Sequence, residues 1–214
     1  MNHAALLALF ADPADAGRRA IAARDAAFGP QIVIRGAPVH PPPALATLIQ
    51  GERVIDLSPA SGPIEHVAED MSSAPAWPDP AILRAGDRLV LAVDHDQLPA
   101  YCAWLLRAAA TAPGWSLAPF CPRPGGLFRL HLIAAARLAL PASMRVEVRH
   151  DLVGVRLAQV ALQFGADTLA GPLDAGRHLP LAGVPRPSET SAMALAELVR
   201  QAGFAPQTSP LESP

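Results

Sequence analysis

The sequence predicts an α/β fold, either an incomplete TIM-type barrel or an open parallel sheet flanked by helices, and three stretches carry that expectation. Residues 127–173 run helix, strand, helix, strand with almost no spacer, the order that builds a parallel sheet covered by helices. Arg88-Leu89-Val90-Leu91-Ala92-Val93 is nearly continuously apolar, as a strand covered on both faces must be. Directly after it, Leu98, Tyr101, Cys102, Trp104, Leu105 and Leu106 mark a helix. About six strands can be counted against the eight of a full barrel.

Taken in order, residues 4–28 hold helix-spaced apolar residues broken at Asp12-Pro13, so they read as two short helices or one helix restarted at Pro13, ending at Gly29-Pro30. Gln31 to Arg35 reads as a strand, Gly36 to Pro43 as a polyproline-like turn, Ala44 to Gln50 as a short helix and Arg53 to Leu57 as a strand. Residues 63–86, rich in proline, are expected to be an irregular connection between an N-terminal segment (1–62) and an α/β core (87–204). Trp115 to Phe120 forms the next strand, followed by the loop Cys121-Pro122-Arg123-Pro124-Gly125-Gly126. Leu127, Leu130, Ile133, Ala134, Leu138 and Leu140 mark a helix that Pro141 stops by lacking an N–H.

Met144, Val146 and Val148 alternate with Arg145, Glu147 and Arg149, the period of a half-buried strand. Asp151 is placed to cap a helix that runs to Gly165, and residues 166–170 form a short strand. Ser188 is placed to cap the last helix, Met193 to Ala202, and residues 205–214 read as a flexible tail.

With 214 residues, 51% of them hydrophobic, the chain can bury a substantial core. A net charge of -2 supplies no basic footprint, so no nucleic-acid partner is expected. No apolar run reaches the roughly 18 residues of a membrane span, and the first residues lack the basic start of a signal peptide. A cytoplasmic location is the expectation. Cys102 and Cys121, the two cysteines, match no disulfide framework or short metal spacing.

The run "LHLIAAARLALPASMRVEVRHDLVGVRLAQVALQFGADTLAGPL" and the later "LAELVRQAGFAP" resemble the late barrel segment of the radical-SAM enzymes of menaquinone and deazaflavin biosynthesis: aminofutalosine synthase, cyclic dehypoxanthine futalosine synthase and FO synthase. In that family a helix ends in an "AxARLxLP" run, then come a strand, "KLAQxALxFGADDLxGT" and "LxxLIxxAGFxPxxR". Thr168 stands where the second Asp of "GADD" would be, and Gly171-Pro172-Leu173-Asp174 replaces the "GT…EE" continuation. The family's chemistry needs three cysteine thiolates on one iron–sulfur cluster. Two remote thiols do not assemble it. The resemblance therefore implies a shortened, cluster-less relative, with Asp167 as a candidate contact to a ribose or amine, or a cap for the turn after it.

Parallel α/β folds place chemistry on loops at the C-terminal ends of strands. Those ends carry Arg35, Asp56 with Ser58, Asp94-His95-Asp96, Cys121 with Arg123, and Arg149-His150-Asp151. His95, His150 and Asp94 are the candidate catalytic residues, because imidazole exchanges protons near neutral pH. Arg123, Arg149 and Asp167 are the candidate ligand contacts. Asp96 and Asp151 read equally as helix caps, and Gly125-Gly126 as a phosphate seat or a plain turn. No spacing predicts a metal site, and no cofactor is expected.

Two functions follow. One is a noncatalytic small-molecule-binding or accessory protein of the futalosine route, holding a nucleoside-like ligand or a pathway enzyme. The other is a cofactor-independent or metal-assisted hydrolase or lyase using His95 and His150. The open edges of an incomplete barrel further imply a homodimer or a hetero-complex.

Overall fold

The computed structural model describes residues 1–37, 52–56, 64–111, 114–174, 177–178, 186–187 and 190–208. The expected helix at 44–50 and Ser58 and Ser188 lie outside them. Asn2 caps α1 (His3–Ala8), and Asp12 caps α2 (Pro13–Phe28), which has Pro13 in its first turn. After them come β1 (Gln31–Gly36), β2 (Glu52–Asp56), β3 (Ile64–Ala68), β4 (Arg88–Ala92), α3 (Leu98–Ala108), β5 (Ser116–Phe120) and α4 (Gly126–Ala139). The chain continues with β6 (Arg145–Arg149), α5 (His150–Val153), α6 (Val155–Ala161), β7 (Thr168–Gly171), a ribbon of β8 (Arg177–His178) and β9 (Arg186–Pro187), α7 (Ala192–Gln201) and β10 (Ala205–Thr208).

The main sheet has the order β10-β1-β7-β6-β5-β4-β3-β2, parallel throughout except for β2 against β3. Seven of its eight strands are thus parallel, and the sheet is flanked by helices and not closed into a barrel. Its curvature can be read from two long side chains. β1 and β4 stand four places apart, roughly 19 Å on a flat sheet at about 4.8 Å per strand. Even so, Arg88 Nη1 donates to the Gly36 carbonyl at 3.0 Å. Arg149 of β6 likewise pairs with Glu65 of β3, three strands away. Only a curled sheet permits both contacts.

Alternation then sorts the residues. Ile34, Leu89, Leu91, Leu117, Val146, Val148 and Leu169 face the helices and join the main core with Tyr101, Trp104, Leu132 and Leu162. Val67, Val90, Ala92, Ala118 and Phe120 form a smaller apolar cluster on the concave face, covered in part by Met71, Leu152 and Val153.

Several expectations change. The connection at 63–86 contains β3, which pairs with both β2 and β4. Its apolar period was hidden because Glu65 and His66 are both buried polar residues, Glu65 facing Arg149 and His66 facing Asp87 at 3.6 Å. What remains of the connection is tied down by Trp104 Nε1 to the Pro78 carbonyl and by Gln97 Nε2 to the Asp70 and Ser72 carbonyls. β6 is buried on both faces rather than half-buried, with Glu147 2% and Arg149 3% exposed. The helix after β6 breaks at Gly154, and Asp151 binds the Arg149 guanidinium instead of capping it. Asp94, not Asp96, is the cap before α3, and Ser191 caps α7. Residues 205–208, expected in a flexible tail, form β10 on the outer edge of β1. No helix among the described residues is long and apolar enough to cross a membrane.

Candidate functional site

Neighbouring strand ends build the site. In register, Ala92 of β4 lies opposite Phe120 of β5, and Val93 N–H donates to the Phe120 carbonyl at 2.8 Å. Asp94 and Cys121, each just past its strand, are thereby brought together. Asp94 is buried. It caps the turn at His95–Gln97 through the His95 N–H at 2.7 Å, while its own N–H donates to Gln97 Oε1 at 2.9 Å. Its second oxygen takes Arg123 Nε at 2.7 Å.

His95 Nδ1 stands 3.3 Å from Asp94 Oδ1, and about half of its side chain is exposed. Cys121 is buried, and burial pushes its thiol pKa up against the backbone N–H of Arg123, which donates to the sulfur. Arg129 holds this loop in place, Nε to the Cys121 carbonyl at 2.7 Å and Nη2 to the Arg123 carbonyl at 3.2 Å. Among the described residues, Asp94, His95 and Cys121 form a group whose ligand atoms all lie within 4.8 Å of one another, a possible metal-holding set.

An open groove of about 520 Å³ runs from His95 along α4, lined by Phe10, Leu98, Phe128, His131 and the Gly125-Gly126 backbone. His95 stacks on Phe128 with centroids 4.0 Å apart and 18° between planes. Phe10 meets Phe128 at 5.7 Å and His131 edge-on at 5.2 Å. Sequence reasoning missed Phe10, Phe128 and His131. The available signal was weak: Phe128 and His131, three apart on α4, share a face, but nothing local shows that Phe10 arrives from the first turns of the chain.

The predicted residues fall into three places. Asp94, His95 and Arg123 come together, with Cys121. Arg149 and His150 do not join them. Arg149 is buried, its guanidinium shared between Glu65 and Asp151; burial alone would lower its pKa, but these two carboxylates carry it above the ordinary value. His150 is 3% exposed and packs on Gly171, whose missing Cβ makes room for the imidazole. Asp167 is the clearest correction. It precedes β7, at the opposite end of the sheet from the strand-end loops, and is 0% exposed. Its oxygens accept from Val146 N–H, Thr168 Oγ1, Arg145 and Arg137, leaving none for a ligand. Arg35 pairs with Glu147 at 2.5 Å. The side chain of Asp56 and the whole of Ser58 lie outside the described residues.

Burial lowers the pKa of both His150 and His131. An imidazole whose folded pKa is depressed gives its full stability above the unfolded pKa, about 6.5, and loses it as pH falls through the folded value. The unfolding free energy from urea titrations is therefore expected to fall as pH drops below about 6.5. The double variant His131→Asn/His150→Asn should flatten that slope. An unchanged slope would show that other groups control acid stability.

Compared with known proteins, the chain matches no family model and none of the curated proteins.

Proposed function

We propose that this is a noncatalytic small-molecule-binding or accessory protein related to the futalosine-route enzymes, taking a nucleoside-like ligand in the groove beside His95. The observation that carries the reading is the stacked His95–Phe128 pair, with Phe10 beyond it. Flat π-faces suit a planar base, and the neighbouring Asp94–Arg123 pair offers an acceptor and a donor to ribose hydroxyls. The blocks resembling the radical-SAM enzymes, without a third cysteine, favour holding such a molecule over radical chemistry on it.

Calorimetry with futalosine-type nucleosides and adenosine tests this, with free ribose as the comparison. Binding of the base-bearing compounds is expected, and Phe128→Ala should weaken it by about tenfold, the upper end of an aromatic pair. Binding that ignores the base, or none at all, would remove the proposal.

A second reading, a hydrolase or lyase, is favoured by Asp94 Oδ1 lying 3.3 Å from His95 Nδ1, since a carboxylate there orients an imidazole for proton transfer. In that case His95 works without His150, and product formation from the bound nucleoside, abolished in His95→Ala, would replace simple binding. Two free cysteines suit the reducing cytoplasm. The outer edges of β10 and β2 suit pairing with a second copy or a pathway enzyme.

A further inference from the structure

We infer that Asp94, His95 and Cys121 bind a thiophilic divalent cation of the Zn²⁺ class, and that the Arg123 guanidinium is the place-holder the ion displaces. The inference stands on the donor geometry and does not rest on the nucleoside reading.

Three different donor atoms, a carboxylate oxygen, an imidazole nitrogen and a thiol sulfur, lie within 4.8 Å of one another at the ends of two hydrogen-bonded strands. Tetrahedral zinc with N and O bonds near 2.0–2.1 Å has an N···O edge of about 3.3 Å, and with a sulfur bond near 2.3 Å an edge of about 3.6 Å to sulfur. The His95 Nδ1 to Asp94 Oδ1 separation is already 3.3 Å, and a spread of up to 4.8 Å among the three donors leaves up to roughly 1.2 Å to close on the edges to sulfur.

The donor set selects the metal. A thiolate and an imidazole favour zinc, cobalt or copper over magnesium and calcium, which take oxygen. Asp94 and Cys121 are buried on rigid strand ends, while His95 is exposed on the groove side. That leaves a fourth position for water, the pattern of three protein ligands and one exchangeable one.

A cation already sits against Asp94. Arg123 Nε is 2.7 Å from Oδ2, but its side chain is 58% exposed and can swing into solvent as the incoming ion takes over the charge of the buried Asp94 carboxylate. On metal binding the Cys121 S–H bond breaks and its proton passes to solvent as the sulfur–metal bond forms.

The test uses the full chain after chelator treatment. Co²⁺ titration is expected to raise a thiolate-to-cobalt charge-transfer band at one ion per chain, with Zn²⁺ displacing it. Cys121→Ser should abolish the band, and Cys102→Ser, in α3, should keep it. His95→Ala should weaken Zn²⁺ binding at least tenfold. Arg123→Ala, its fold checked by circular dichroism because it takes the cation from the buried Asp94, should tighten Zn²⁺ roughly five- to tenfold by removing a neighbouring like charge. Absence of the band in the native chain, or Zn²⁺ affinity unchanged in both His95→Ala and Arg123→Ala, would overturn the assignment.

Discussion

Asp167→Ala is expected to lower the unfolding free energy by about 3–5 kcal/mol, the cost of stripping one partner from a buried ion pair. Its carboxylate meets Arg137, 2% exposed, at 3.3 Å and Arg145 at 3.1 Å, and takes the Val146 N–H at 2.8 Å. Arg137 also bonds the carbonyls of Leu140, Pro141 and Met144, so one guanidinium closes the turn between α4 and β6. With alanine at 167 that cation stays inside without its counter-charge.

Burial, the largest influence on Asp167, raises its pKa despite the donors around it. Taking both charges out of water offsets most of their attraction, so the loss in Asp167→Ala comes chiefly from the stranded arginine. Accordingly Asp167→Ala/Arg137→Met should recover part of the loss, the share due to the stranded charge, while the three carbonyl contacts of Arg137 stay lost. Urea denaturation followed by the fluorescence of the buried Trp104 and Trp115 measures both. A single variant within about 1 kcal/mol of the parent would show that Asp167 is not the clamp.

Arg149→Ala should cost a similar amount, again about 3–5 kcal/mol, for a different architectural reason. Arg149 joins β6 to β3 across the concave face through Glu65, and holds Asp151 of α5 at 2.9 Å. Removing it strands the fully buried Glu65 carboxylate, and the contact that spans three strands of curvature goes with it. Glu65→Ala should be nearly as costly. Because the two act on one contact, the double variant should cost far less than the two single losses added together. Additive losses in that cycle would show that the pair does not hold the curl.

The fold was legible in the residues to different depths. Strands β1, β4 and β5 and helices α3 and α4 could be placed because apolar spacing is local information. β3 and β10 could not. β3 carries polar residues whose burial is made tolerable only by remote partners, and β10, Ala205–Thr208 with a proline inside it, is a strand because β1 offers it an edge. In the candidate site the pairing of Asp94 with His95 was visible from adjacency, whereas Cys121 joined them only through the β4–β5 register.

What the sequence by itself determined is the α/β class with a parallel sheet flanked by helices and the shortage of thiols for an iron–sulfur cluster. Tertiary structure alone decided which charged residues face solvent and which are locked inside, since Arg149 and Glu65 are 84 positions apart in the chain. It also decided that Asp167 is a clamp and that Phe10 walls a groove with α4. Periodicity reports what each segment needs to bury; whether a charge can be buried depends on a partner that only the folded chain delivers.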